Sequence, residues 1–91
     1  MKIVRHLAIT RRVQGVAFRY SMERKGRGLG VTGWVRNRGD GTVEAMVQGT
    51  PEMIAAITDW ARHGPPGALV TNLKESDGSG DYESFETLPT E

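Results

Sequence analysis

A glycine-rich turn between two strand-like segments constrains the fold of this chain more than any other feature. Val31 to Arg36 has the residue types of a strand, and residues 37–41 form the dense turn signal Asn-Arg-Gly-Asp-Gly. The segment from Thr42 to Gln48 then alternates, with Val43, Ala45 and Val47 on one face. Two such segments around a short glycine-rich turn predict an antiparallel β-hairpin.

A helix is predicted on each side of this hairpin. Before it, Phe18, Met22 and Leu29 recur at helical spacing, which predicts a helix from Phe18 to about Leu29. Gly26 lies on the same stripe, where it either lets the helix approach the sheet closely or simply costs stability.

The second predicted helix has clear signals at both ends. Thr50, Pro51 and Glu52 supply a hydroxyl N-cap, a proline at the first helical position and an acid at the positive end of the dipole. Gly64-Pro65-Pro66 stops it. Its apolar stripe comprises Met53, Ile54, Ile57, Trp60 and Ala61.

Three further strands complete the pattern. They are predicted at Ile3 to Thr10, Ala68 to Lys74 and Tyr82 to Leu88, with Phe85 as a core anchor and a polar loop from Ser76 to Asp81. The order of elements predicts one α+β domain over residues 1–91. We expect a ferredoxin-like split β-α-β sandwich, a mostly antiparallel sheet with two helices packed on one face.

Composition narrows the possible functions. The chain has 91 residues and a net charge of +1, so no overall basic field favours nucleic acid. It has no cysteine, which removes disulfides and thiol chemistry and fits a reducing compartment. No apolar run is long enough to span a bilayer, and the first residues resemble a strand rather than a signal peptide. We therefore expect a cytoplasmic protein with neither a membrane nor a nucleic-acid partner.

The segment from Val13 to Arg19 is a candidate anion site. A short loop with a glycine that leads into a helix start presents free backbone N–H groups to an anion. Arg19 adds a planar fork of donors that suits phosphate, although it could also be a surface ion-pair partner. Asn37, at the end of the second predicted strand, could reach the mouth of this loop and orient a water, or serve only as a turn residue.

Other kinds of catalytic site lack support in the sequence. His6 and His63 are far apart and have no metal-ligand spacing, so no metal site is predicted. Ser21 has no base or orienting partner that the sequence identifies. A phosphate cradle, a guanidinium and a water-orienting amide would suffice to hydrolyse a phosphorylated compound with a good leaving group.

Two long motifs give the chain a family resemblance. Val-Gln-Gly-Val-Ala-Phe-Arg over residues 13–19 resembles the acylphosphatase signature V-Q-G-V-x-F-R. Leu-Gly-Val-Thr-Gly-Trp-Val-Arg-Asn over residues 29–37 is similar to the second signature, L-G-[LV]-x-G-W-V-x-N. Shorter matches at residues 40–44, 48–49 and 64–70 extend the resemblance over nearly the whole chain.

The resemblance implies hydrolysis of the carboxyl–phosphate bond of a small-molecule acylphosphate to a carboxylate and inorganic phosphate. It implies that Arg19 binds the phosphoryl group, that Asn37 positions the attacking water, and that no metal or organic cofactor takes part. The implied phosphate-binding backbone comprises Gln14, Gly15, Val16, Ala17, Phe18 and Arg19. The alternative is a non-catalytic anion-binding or regulatory module with the same fold. No long exposed apolar stripe argues for an obligate dimer, so we expect a monomer.

This sequence departs from the family pattern in three places. Arg11 stands where the family usually has glycine, so either the entry to the loop is strained or the arginine adds positive charge at the site mouth. Gly26 replaces the usual alanine of the first helix, and polar Thr87 follows Phe85 two residues on in the closing strand. These departures bear on stability before activity.

Overall fold

The computed structural model describes residues 1–12 and 17–91. Residues 13–16, which include the predicted phosphate-binding positions Gln14, Gly15 and Val16, lie outside the described residues. The elements in chain order are β1 Ile3–Arg11, α1 Phe18–Leu29, β2 Thr32–Asn37, β3 Val43–Gly49, α2 Pro51–His63, β4 Val70–Asp77 and β5 Phe85–Thr87.

The strands form one sheet in the order β4-β1-β3-β2-β5. Three of the four strand pairs are antiparallel, and β2 pairs with β5 in parallel. Both helices pack on one face, which confirms the ferredoxin-like arrangement. Strand β3 lies between β1 and β2, so the ends of these two strands are separated by one strand.

The core lies between the helices and the odd-numbered positions of the central strands. Leu7 and Ile9 of β1 are fully buried, whereas Thr10, on the opposite face of the strand, is exposed. This alternation follows from the two-residue period of a strand with one covered face. The fully buried side chains of the other elements include Met22, Val35, Val43, Ala45, Val47, Ile57 and Ala61.

Gly26 lets helix α1 approach the sheet closely, which confirms the first of the two interpretations given above. A Cβ built on Gly26 would lie 2.6 Å from Cδ2 of Phe85, the buried anchor of β5. The ring therefore occupies the space that any larger side chain would need. Helix α1 ends at Leu29, and its C-cap, Gly30, adopts the left-handed conformation that is typical of glycine at this position.

The two outer strands differ in length from the sequence prediction. Strand β4 runs through Asp77 because Ser76 and Asp77 pair with β1, and Gly78 N–H also donates to the Val4 carbonyl at 3.0 Å. The predicted polar loop therefore begins only after Asp77. Strand β5 is limited to Phe85–Thr87, the three residues that pair with β2. Thr87 sits within this ladder, so its polarity does not interrupt the strand.

Candidate active site

The candidate site lies where the ends of β1 and β2 meet the start of α1. Val43 of β3 pairs with Ile9 of β1 on one side and with Asn37 of β2 on the other. Only β3 separates β1 from β2, so a long side chain at the end of β1 can reach across β3 to the end of β2. Asn37 is the last residue of β2, so its amide stands at this end of the sheet.

The Asn37 amide is held by a contact from β1. Nη2 of Arg11 donates to Oδ1 of Asn37 at 3.3 Å. The backbone of Asn37 is fixed as well, because its carbonyl accepts from Glu91 N–H at 3.1 Å. The Arg11 side chain thus orients the Asn37 amide, and Glu91 anchors the Asn37 backbone. A residue that served only in a turn would need neither contact.

Arg19 is the second residue of α1 and is half-buried. Its Nη1 donates to the Leu88 carbonyl at 3.1 Å, and its Cζ lies 5.5 Å from the centre of the Tyr20 ring. A guanidinium has five N–H donors, so donors remain for an anion while one is used to hold the group. The surface ion-pair interpretation of Arg19 finds no support among the described residues, whose ion pairs do not include it.

The start of α1 has no side-chain cap among the described residues. Its first turn contains no acidic residue. The first N–H groups of a helix have no partner within the helix, and the dipole favours negative charge there. This end of α1 adjoins the predicted loop of Gln14, Gly15 and Val16, whose own contribution lies outside the described residues.

Arg11 has ordinary strand backbone. Outside glycine, positive φ occurs only at Leu69 among the described residues, so Arg11 itself does not adopt the positive φ that glycine would favour there. Burial, and next the positive charge of Arg19, lower the pKa of Arg11. Its Cζ lies 5.8 Å from the centre of the buried Phe18 ring. Arg11 thus places its guanidinium between Phe18 and Asn37.

Sequence reasoning missed the role of residues 88–91. Leu88 holds Arg19 and Glu91 holds the Asn37 backbone, while the Glu91 carboxylate also pairs with Arg36 at 2.8 Å and with Arg38 at 3.3 Å. No motif in the sequence marks these residues, because two of the contacts use backbone atoms.

The other titratable candidates do not join the site. His6 pairs with Glu44 at 2.6 Å, and Arg36 pairs with the same carboxylate at 2.8 Å. Burial would raise the pKa of Glu44, but the hydrogen bonds from His6 and Arg36 outweigh it and lower that pKa. His63 contacts the Asp59 carbonyl of its own helix at 3.1 Å.

The described residues offer neither a cluster of metal ligands nor a helix suited to a membrane. Across residues 1–12 and 17–91, no group of three or more His, Asp or Glu side chains is placed to hold a metal ion. Neither helix within those ranges has the length and apolarity that a membrane crossing requires.

Comparison with known proteins shows the family to which the chain belongs. The family model described as Acylphosphatase matches residues 5–87. The chain belongs to the acylphosphatase family. An acylphosphatase of Thiobacillus denitrificans is 57% identical over 81 residues, which cover 89% of this chain and 91% of that protein. One of Thermococcus kodakarensis is 59% identical over 75 residues, which cover 81% and 82% of the two chains.

A solved structure extends the likeness to the fold. The acylphosphatase of Coxiella burnetii superposes with a TM-score of 0.91 at 35% identity, covering 96% of this chain and 93% of its own. Within the acylphosphatase family, the matched region contains both Arg19 and Asn37. Arg11 also lies inside this region.

Proposed function

We propose that this member of the acylphosphatase family hydrolyses acylphosphates, with Arg19 binding the phosphoryl group and Asn37 positioning the attacking water. Family membership supports the reaction. The observation that supports the two roles is the arrangement of a half-buried guanidinium and a held amide near the start of α1, which no side chain of the described residues caps. These groups supply anion binding and water orientation without a side chain that acts as a general base.

In the proposed reaction the water oxygen forms a bond to phosphorus. The bond between phosphorus and the acyl oxygen breaks, and its electron pair leaves with the carboxylate. The water proton passes to a phosphoryl oxygen of the substrate, so no protein base is needed. A carboxylate is a good leaving group and needs little help from an acid.

Arg19 acts by holding two phosphoryl oxygens with a planar pair of donors. Its contact with Leu88 keeps the guanidinium in place before the substrate arrives, so less reorganisation is needed when charge develops. The backbone N–H groups at Ala17, Phe18 and the preceding loop add further donors. Asn37 acts on the water, whose correct placement converts a bimolecular attack into one within the complex.

The test is hydrolysis of benzoyl phosphate by the folded chain, with and without a chelator. We expect activity that the chelator does not change. Arg19→Ala should lower kcat/KM about 10³-fold, because it removes charge stabilisation from the phosphoryl group. Asn37→Ala should lower kcat about 100-fold and leave KM within about twofold, because it removes an interaction with the water rather than with the bound substrate.

A folded wild-type chain without activity would reject the proposal. Binding of inorganic phosphate by that inactive chain would then favour the non-catalytic anion-binding module. An Asn37→Ala variant with weaker phosphate affinity but normal turnover would contradict the water-positioning role alone. A monomeric state and a cytoplasmic location stay predictions, which gel filtration and cell fractionation address.

A further inference from the structure

Arg11 is the last residue of β1 and lies beside an irregularity in the pairing of β1 with β4. Thr10 pairs with Asn72 of β4, but the next residue, Arg11, pairs with Val70, so Thr71 has no partner in the ladder. The extra residue is in β4, so the alternation of side chains along β1 continues to Arg11. Arg11 follows Ile9 on the helix-covered face, and its guanidinium lies against the ring of Phe18.

The contact with Asn37 fixes which end of the amide faces which group. An arginine side chain has donors only, so it accepts no hydrogen bond from the amide nitrogen. With Nη2 of Arg11 at 3.3 Å, Oδ1 of Asn37 must face β1 and Nδ2 must face away. A charged donor makes this preference stronger than a neutral one would.

The same contact leaves the amide able to hold a water. A carbonyl oxygen has two lone pairs, and Arg11 uses one direction. The other can accept from the O–H of a water, and a water that donates in this way keeps its own lone pair for phosphorus. An amide that rotated freely would present Nδ2 half of the time and would engage that lone pair instead.

We propose that Arg11 is a positioning residue for hydrolysis, holding the Asn37 amide in the orientation that receives the attacking water. This inference rests on the proposed function, because it assigns Arg11 an effect through Asn37. The guanidinium acts on turnover through the amide, not on affinity for the phosphoryl group.

Two substitutions of Arg11 test the inference, each in the wild-type chain and with Asn37→Ala. Arg11→Met keeps an unbranched stem against Phe18 but removes every donor, whereas Arg11→Lys keeps the charge and one centre of donors. We expect Arg11→Met to lower kcat about tenfold with KM within about twofold, and Arg11→Lys to recover part of the loss. With Asn37→Ala present, Arg11→Met should change kcat by less than about twofold.

A second readout is independent of turnover. The side-chain amide signals of Asn37 in a ¹⁵N–¹H spectrum are identified by their loss in Asn37→Ala, and we expect Arg11→Met to shift them. Unchanged signals would overturn the inference, as would an unchanged kcat in Arg11→Met. So would a rise in KM and in the inhibition constant for inorganic phosphate that persists in Asn37→Ala, since Arg11 would then act on the phosphoryl group directly.

The two proposals fail in distinguishable ways. An inactive wild-type chain rejects the proposed function, and the roles in catalysis fall with it. An active chain in which Asn37→Ala lowers kcat but Arg11→Met does not rejects the role of Arg11 alone.

Discussion

The two helices of this protein begin in opposite ways. The start of α2 is closed by Thr50, whose Oγ1 accepts from Met53 N–H at 3.2 Å, by a proline in the first turn and by the acid Glu52. The start of α1 follows Ala17 and has none of these features among the described residues. Both helices pack on the same sheet, so the difference does not come from their place in the fold.

This contrast separates stability from function. A cap satisfies backbone donors and stabilises the helix, and α2 uses it fully. At α1 no side chain of the described residues takes these donors, and an anion beside Arg19 could use them. The chain gives up local stability at the one helix start that the proposed reaction needs, and keeps it at the other.

Among the substitutions that test this contrast between the helix starts, the largest effect is expected from giving α1 the acid that it lacks. Ala17→Asp places a carboxylate where the phosphoryl group is expected, so kcat/KM for benzoyl phosphate should fall at least about tenfold. The free energy of unfolding should rise by no more than about 1 kcal/mol, because the acid also interacts favourably with the helix dipole. Steady-state kinetics and urea unfolding measure the two effects.

Ala17→Asn is the matched control, since it has nearly the same shape without the charge. Equal activity in the two variants would show that the start of α1 does not face the phosphoryl group.

A smaller effect is expected in the body of α1, which contains two glycines where α2 has none. Gly28 has open space around it, whereas a Cβ at Gly26 meets Phe85. Gly28→Ala should stabilise the protein by up to about 1 kcal/mol through helix propensity. Gly26→Ala gains the same propensity but overpacks the ring, so its free energy of unfolding should lie about 2 kcal/mol below that of Gly28→Ala. Equal values from urea unfolding would mean that the ring moves aside without cost.

The smallest effect is expected at the capped start of α2. Thr50→Ala should lower the free energy of unfolding by about 1 kcal/mol, because the Met53 N–H loses its partner. It should leave kcat/KM unchanged, since α2 begins after Gly49, at the far end of β3 from Asn37. Thr50→Ser keeps the hydroxyl and should lie close to the wild type. A fall in activity at full folding would contradict the separation of the two helix starts.

Local signals explain what the sequence could predict. Thr50, Pro51 and Gly64 determine both ends of α2 through their own backbone preferences, and the predicted start of α1 at Phe18 is also confirmed. The predicted length of β4 was wrong. The end of this strand depends on pairing with β1 across the sheet, which residues near Ser76 do not encode by themselves.

The same distinction between local signals and long-range contacts applies to the candidate site. The sequence identified Arg19 and Asn37, but their supports lie far along the chain. Arg11 could be interpreted in two ways because its contact with Asn37 joins two strands that are not adjacent in the sheet. Leu88 contributes only a carbonyl, so its side chain gives no signal.

The hydrogen bond between Arg19 and Leu88 joins residues that are 69 positions apart. Contacts of this separation cost loop entropy before they form, and they slow folding. Glu91 supports Asn37 from the same late segment, so a chain with both helices and the hairpin in place still lacks a support on each side of the site. Return of enzymatic activity during refolding therefore reports completion of the whole sheet, not formation of the segments that carry Arg19 and Asn37.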